Sequence, residues 1–335
     1  MANAETQLAW PLIGNQKAVD FLTKSLASRR LAHAYIFTGP ADLGKNTIAY
    51  CFAKNLLYLD SATRVDLDHL DPAKLSLSGD FHVISRETDK KNISIAQIRE
   101  FIKILEMSSF ANSYKIGIIK EAELLSDEAA NALLKLLEEP QPKVVIILIT
   151  SQLEAILPTL RSRSQVINFY PVKTEAIHDY LIKERHASPS AAKRCARLAL
   201  GRPALAIKFL EDADFYNDYL RQVEVFLNFF EEDLLQRLAA VDELWAEKKN
   251  SEEGAPGAAR ILEIWVGLVR DLLLLNLSDD ELIQNWEVKD KLQAIKESRP
   301  AGPLKKLMKI LETGKKYLSA NVSPKNVLEQ VAVNI

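Results

Sequence analysis

Cysteine is scarce in this chain. Its 335 residues hold two, Cys51 and Cys195. Two thiols exclude a disulfide framework and a four-cysteine zinc site. Both lie in apolar helical contexts, which predicts buried core thiols. Charge imbalance is missing as well: a formal net charge of -2 excludes a dedicated, strongly basic nucleic-acid binder, though not a basic patch on one face. There is no long apolar run, and Leu272–Leu275 is too short to span a membrane. The opening MANAETQLAWPL lacks a basic region followed by an apolar stretch, so no signal peptide is predicted. The expectation is a soluble, cytoplasmic protein with no membrane partner and no metal centre. Its length is sufficient for two or three domains with a sizeable core.

The most informative stretch is residues 115–164, KIGIIKEAELLSDEAANALLKLLEEPQPKVVIILITSQLEAILPTLRSRS. Lys115–Ile119 and Val144–Ile149 have the apolar, β-branched character of buried parallel strands. Between them, Ser126 predicts an N-cap, with Asp127 and Glu128 in the first turn where the helix dipole favours acids. Ala129, Ala130, Leu133, Leu134, Leu136 and Leu137 form one broad apolar face. Pro140 and Pro142 stop the helix. Strand, helix and strand predict a right-handed βαβ unit. AANALLKLLEEP, the apolar strand after it and ILPTLRSRS together resemble the AAA+ clamp-loader ATPases of bacterial DNA polymerase III. ISIAQIREFIKIL before this stretch and the C-terminal helices after it fit the same family.

Earlier in the chain, Ala34–Thr38 predicts a first central strand, followed by Gly39-Pro40-Ala41-Asp42-Leu43-Gly44-Lys45-Asn46-Thr47. This nearly matches G-x-x-x-x-G-K-[ST], in which backbone N–H groups at a helix N-terminus cradle phosphates and the lysine reaches them. Asn46 replaces the Mg²⁺-binding hydroxyl, and Thr47 comes one residue late. A helix is expected over Thr47–Leu57. Residues 59–80 read as a polar connection. Its Asp66, Asp68, His69 and Asp71 predict an unstructured acidic loop rather than a metal site. Phe81–Ser85 predicts a second strand, and Ile95, Ile98, Ile102 and Leu105 recur at helical spacing. Trp10–Asn15 precedes a first helix with apolar positions Ala18, Phe21, Leu22 and Leu26; the resemblance implies that such a segment covers adenine where ATP is bound.

A working strand of the Mg²⁺-binding type ends in Asp-Glu. Here the pair is Lys120-Glu121. A lysine near the metal position opposes a divalent ion, since like charges about 4–5 Å apart repel by several kcal/mol even at an effective dielectric near 20. Asn46 and Lys120 together remove both protein contacts to Mg²⁺. The expectation is a P-loop without efficient hydrolysis, with ATP or ADP without Mg²⁺ as the candidate ligand. Thr150 and Ser151 fall where the family places a phosphate sensor, and they are equally readable as strand-capping hydroxyls.

Ser162-Arg163-Ser164 resembles the Ser-Arg-Cys motif of the family, with serine for cysteine. The resemblance implies that Arg163 points into a neighbour's ATP site, a task suited to a planar, permanently charged guanidinium. Arg161 is the weaker candidate. Gln165–Phe169 predicts a fifth strand. Thr174–Glu184, Ser190–Leu200 and Ala204–Leu210 predict three short lid helices, and Arg202 in Gly201-Arg202-Pro203 matches the place of a second nucleotide-contacting arginine. From Asp212 onward the pattern is helical: apolar repeats over Glu224–Leu244, a charged linker over Glu247–Gly257, a central apolar segment Ile261–Leu277, and Leu304–Leu318 and Val322–Val333 closing a bundle.

The expected fold is therefore α/β. A P-loop parallel-sheet domain (residues 1–170) precedes a small helical lid (171–212) and an all-α collar (213–335). The resemblance implies a rigid, non-hydrolysing member of a clamp-loader ring. Its implied partners are gamma/tau-type motor subunits, the delta subunit, the sliding clamp and, through the assembly, primer-template DNA. Two alternatives stay open: an active gamma/tau-type ATPase, favoured by Lys45, Glu121, Arg163 and Arg202, and a helical scaffold unrelated to replication.

Overall fold

The computed structural model describes residues 10, 13–57, 59, 79–87, 90–107, 109, 114–250, 254–277, 280, 282–320 and 322–335. The acidic connection with Asp66, Asp68, His69 and Asp71 lies outside the described residues. The chain divides into two compact units, Met1–Ile177 with Gly201–Leu205, and His178–Leu200 with Ala206–Ile335.

The first unit is built on β1 (Ala34–Thr38), β2 (Phe81–Ile84), β3 (Lys115–Ile119), β4 (Val144–Thr150) and β5 (Gln165–Asn168). They form one parallel sheet in the order β2-β3-β4-β1-β5. Strand side chains alternate between faces, and the core divides accordingly. Tyr35, Phe37, Ile116, Ile118, Val145 and Ile147 pack with α1 (Gln16–Ser28) and α2 (Lys45–Leu57). Ala34, Ile36, Ile119, Ile146 and Leu148 pack with α3 (Ile95–Glu106) and α4 (Asp127–Glu138). Each fully buried aliphatic side chain contributes about 1.5–3 kcal/mol. Helix on both faces explains why the strands read as unbroken apolar runs. Gly117 in β3 is required by this packing, because a Cβ there would lie 2.3 Å from Phe101 Cζ.

Local signals match the helix ends. Ser94 and Gln97 form a reciprocal capping box on α3, Ser94 N donating to Gln97 Oε1 at 2.9 Å and Gln97 N to Ser94 Oγ at 3.3 Å. Ser126 Oγ accepts from Ala129 N at the start of α4, as the sequence predicts. On α1, Phe21 is 40% exposed and Val19 is buried in its place. The apolar face is therefore rotated by part of a turn from the sequence expectation. Cys195 is buried as expected, whereas Cys51 is half-exposed on α2.

The rest of the chain is helical: α5 (Pro158–Ser162), α6 (Thr174–Arg185), α7 (Pro189–Leu198), α8 (Pro203–Glu211), α9 (Ala213–Asn228), α10 (Leu234–Asn250), α11 (Gly254–Asn276), α12 (Lys289–Ser298), α13 (Ala301–Ser319) and α14 (Pro324–Val333). In the second unit α11 is central and packs against α9, α10, α12, α13 and α14. Leu262, Trp265, Leu268, Val269 and Leu272 on it are fully buried, as the apolar pattern predicts. Trp265 closes an aromatic group with Phe226 and Phe229, ring centroids 5.2 and 5.5 Å away.

One expectation for this region is corrected. The charged linker over Glu247–Gly257 is mostly helix: α10 continues to Asn250 and α11 begins at Gly254, leaving 251–253 outside the described residues. Glu and Lys are good helix formers, and Pro256 falls in the first turn, where its missing N–H costs nothing. The apolar repeats over Glu224–Leu244 belong to two helices, α9 and α10, separated by residues 229–233. Among the described residues no helix is long and apolar enough to cross a membrane, and no group of three or more His, Cys, Asp or Glu side chains could hold a metal.

Candidate nucleotide loop and arginine edge

The P-loop leaves β1 through Thr38, whose carbonyl accepts from Phe169 N at 2.8 Å. Gly39 then takes φ +140°, and a Cβ there would lie 2.3 Å from Phe169 O, so only glycine fits. Asp42 (φ 60°) and Gly44 (φ 86°) complete the turn, while Leu43 is fully buried and pins it to the core. Helix α2 starts at Lys45, two residues before the sequence expectation. The first N–H groups of a helix have no intrahelical partner, which suits this end of α2 to an anion.

Lys45 is 7% exposed, and its Nζ donates to Gly39 O at 2.5 Å and Pro40 O at 2.6 Å. The ammonium is thus held by two carbonyls of its own loop. Burial lowers its pKa from the usual lysine range, and the nearby charges of Glu123 and Asp42 oppose that shift. Asn46 and Thr47 are exposed at the start of α2. The loop is tied to the segment carrying Arg202. Ala204 N, near the N-terminus of α8, donates to Asp42 O at 3.0 Å, and Gly201 O accepts from Val172 N at 2.8 Å. The structure therefore brings Gly39, Gly44, Lys45, Asn46, Thr47 and the Arg202 segment together.

At the end of β3, Lys120 N donates to Ile84 O at 2.9 Å, and its Nζ lies 5.3 Å from the Tyr50 ring centroid on α2. Glu121 is exposed in a left-handed conformation at φ 49°. Glu123, two residues on, is the acid that sequence reasoning missed. Its Oε1 accepts from Ser151 N at 3.1 Å and Ser151 Oγ at 2.5 Å, while its Oε2 is buried without a hydrogen-bond partner. The only sequence signal was an extra acid in KEAELL, which lacks a motif. Thr150 is buried, and its Oγ1 accepts from Gln152 N at 3.0 Å. The Thr150 hydroxyl thus has a local partner at the end of β4, whereas that of Ser151 reaches Glu123, 28 residues earlier in the chain.

These residues can be tested against a nucleotide. Positive-φ glycines, a helix N-terminus and Lys45 are the parts from which a phosphate cradle is built. Side chains of the type Mg²⁺ requires are absent from its two usual positions, where Asn46 and Lys120 stand. The donor set fits an anion and does not fit a divalent ion.

The entry of the chain is fastened to this unit as well. Trp10 Nε1 donates to Thr23 Oγ1 at 2.9 Å. The Asn15 side chain clamps the backbone of Tyr170, accepting from its N at 2.7 Å and donating to its O at 3.0 Å. Pro11 and Leu12 lie outside the described residues.

Arg163 belongs to a different group of residues. It caps the C-terminus of α5, where Ser164 Oγ donates to Leu160 O at 2.8 Å. Its Nη2 lies 3.0 Å from Glu138 Oε1 at the end of α4, and its Nη1 donates to Thr159 O at 3.2 Å. The Arg163 side chain remains 38% exposed and that of Glu138 53%. Arg161 on the same short helix is half-buried.

Comparison with known proteins gives a consistent result. Residues 14–173 match the family model described as "DNA polymerase III, delta subunit". The chain is 28% identical over 333 residues to the DNA polymerase III subunit delta' of Bacillus subtilis, covering 95% of this chain and 94% of that one. It is 23% identical over 347 residues to the DNA polymerase III subunit tau of the same organism, covering 97% of this chain and 60% of that one. Over 135 residues it is 34% identical to the delta' subunit of Pseudomonas aeruginosa, covering 39% and 41% of the two chains.

Proposed function

We propose that this chain, which is similar to DNA polymerase III subunits of the delta' and tau kind, is an AAA+ clamp-loader subunit that acts as a delta'-like ring member, does not hydrolyse ATP itself and supplies Arg163 to a neighbouring motor subunit. The observation that carries this reading is an asymmetry. Asn46 and Lys120 occupy the chain's own two Mg²⁺ positions, whereas Arg163 is exposed at the surface of the sheet unit, with its guanidinium oriented by Glu138 and Thr159. An arginine delivered in trans to a phosphoryl-transfer site accelerates it by roughly 10³–10⁵.

In this role the partners are gamma/tau-type motor subunits and a delta subunit. The assembled ring engages the sliding clamp and primer-template DNA. Residues 171–212 serve as the lid and 213–335 as the collar that holds the ring. Gly39, Gly44, Lys45, Asn46 and Thr47 would hold the phosphates of ATP or ADP without Mg²⁺, with Arg202 on the adjoining segment. ATP supplies the phosphoanhydride that the motor subunits cleave. In this chain, Lys45 neutralises phosphate charge when it leaves the carbonyls of Gly39 and Pro40. Glu123 meanwhile keeps the Ser151 hydroxyl engaged at the end of β4.

The test is ATP turnover by the cognate motor subunits, reconstituted with delta, clamp and either this chain or its Arg163→Ala form. A large loss of turnover with equal assembly supports the reading; an unchanged rate refutes the arginine's role. The second reading, an active tau-type ATPase, is favoured by the presence of Lys45 and by the similarity to tau. Mg²⁺-dependent hydrolysis by the isolated chain would establish it in place of the first.

A further inference from the structure

The near-neutral charge of the chain leaves room for a basic patch, and helix α13 of the second unit carries one. Over Ala301–Ser319 it has five lysines and a single acid, Glu312, in a chain whose formal net charge is -2. Its apolar side is used by the fold: Leu304, Leu307, Leu311 and Gly314 are buried, where α13 packs against α11 and α14. At about 100° per residue, Lys305, Lys309 and Lys316 fall within about 40° of one another on the opposite side. All three are exposed, Lys306 is exposed beside them, and Lys315 is half-buried at the margin. The stripe from Lys305 to Lys316 runs along about 16 Å of helix.

These lysines have no counter-charge. Among the described residues, none of Lys305, Lys306, Lys309 and Lys316 forms an ion pair or a side-chain hydrogen bond. Other lysines of the same unit are paired, Lys289 with Asp280 at 2.6 Å and Lys325 with Asp242 at 2.7 Å. Glu312 stands one turn from Lys309 and Lys316 and pairs with neither. The acids on the two packed helices are engaged. On α11, Asp271 is fully buried and accepts from Asn285 N at 2.7 Å, and Glu263 has a contact of its own. On α14, Glu329 lies 3.5 Å from Lys325. Like charges three and four residues apart repel along a helix, so Lys305, Lys306 and Lys309 weaken the helix that carries them. A face that costs stability and meets no anion inside the molecule is suited to one outside it.

We propose that the exposed face of α13 binds the phosphate backbone of a nucleic acid, without regard to sequence, through Lys305, Lys309 and Lys316 with Lys306 beside them. The residue type points to phosphate. An ammonium is a point charge on a flexible stem and meets phosphates at many angles. The carboxylates of a protein partner are better matched by the planar fork of arginine, and this face holds no arginine. A protein interface also needs a core depleted of lysine, which the stripe does not offer. A lipid surface takes up apolar side chains, and those of α13 face the bundle. A duplex presents one negative charge about every 1.7 Å of its axis, so the stripe spans several phosphates. Tyr317, 41% exposed at the C-terminal end of the stripe, offers a ring on which an unpaired base can stack. The proposal concerns this chain alone and does not depend on the role of Arg163.

The experiment titrates the full chain into a labelled DNA duplex of about 20 base pairs, and into labelled oligo(dT) of similar length, from about 50 to about 200 mM salt. Fluorescence anisotropy is the readout. One variant combines Lys305→Gln, Lys309→Gln and Lys316→Gln. A control with the same change of charge combines Lys17→Gln, Lys24→Gln and Lys183→Gln, at exposed positions of α1 and α6. The expected result is saturable binding that weakens steeply with salt. The α13 variant should lose at least roughly tenfold in affinity, and its log–log salt slope should shrink by about 2 to 3. The control should bind as the unaltered chain does. No saturable binding of either DNA at the lowest salt, an equal loss in the control, or tighter binding of polyglutamate or of phosphatidylglycerol vesicles than of DNA would overturn the proposal. If circular dichroism shows that the triple variant does not fold, Lys305→Gln and Lys316→Gln are measured singly. Each should then lower the slope by about 1, and an unchanged slope in both would overturn the proposal.

Discussion

At the P-loop, the catalytic-type cation Lys45 is 7% exposed and bonded to two carbonyls of its own loop. At the α5 edge, Arg163 keeps 38% of its side chain exposed and leans on a carboxylate that is itself exposed. Both are cations of the type that handles phosphate. The difference lies in what surrounds them. Lys45 sits in a loop fixed by Gly39, Leu43 and Gly44, yet the positions that would bring Mg²⁺ to it hold Asn46 and Lys120. Arg163 caps a five-residue helix and is held by Glu138 and by the Thr159 carbonyl, neither of them in the chain's own nucleotide loop. The presence of a motif and its competence are therefore separate questions.

The largest effect that would sharpen this comparison is on the arginine side. If Arg163 acts in trans as proposed, Arg163→Ala should slow the neighbouring motor site by roughly 10³ or more. Arg163→Lys should rescue little of that loss, because an ammonium cannot make the two parallel bonds of a guanidinium. Steady-state turnover of the reconstituted ring measures both. Next comes the loop side. Asn46→Thr combined with Lys120→Asp should make nucleotide binding Mg²⁺-dependent, with affinity gaining roughly tenfold when the ion is added. The unaltered chain should bind equally with and without it, and calorimetry with and without chelator separates the cases.

A smaller effect follows from the lowered pKa of Lys45. A lysine whose folded pKa lies below its unfolded one is penalised while it is charged in the native state. The penalty is full at pH values below the folded pKa and is relieved as pH rises from there towards the unfolded value. Stability should therefore climb with pH across that alkaline window, and Lys45→Met should flatten the climb in denaturant titrations. The smallest effect concerns Glu138→Gln. Because the Glu138–Arg163 pair is exposed, its loss should change folding stability by no more than about 1 kcal/mol. A larger shift would mean that the arginine edge is a structural clamp.

The parts of this molecule that could be read from sequence are those where one local rule decides. Lys115–Ile119, Ser126, Pro140 and Val144–Ile149 each obey a single rule of strand burial, capping or helix termination, and the structure places strand, helix and strand there. The P-loop could be read because glycine spacing encodes left-handed backbone. What could not be read depends on tertiary neighbours. Phe21 fits a helical stripe as well as Val19 does, and only packing selects between them. Glu247–Gly257 looked like a linker because charge and proline suggest one, yet charged residues also extend helices and proline begins them. Glu123 and the Asp271 network have no sequence motif, since their partners Ser151 and Asn285 are brought to them by the fold.

The most direct test of the asymmetry is a paired measurement on the reconstituted ring, with ATP turnover compared between rings carrying Lys45→Met and rings carrying Arg163→Ala after equal assembly is verified. The account predicts near-normal turnover for Lys45→Met and a collapse for Arg163→Ala. Collapse with Lys45→Met alongside normal turnover with Arg163→Ala would contradict it and identify this chain's own loop as the working site.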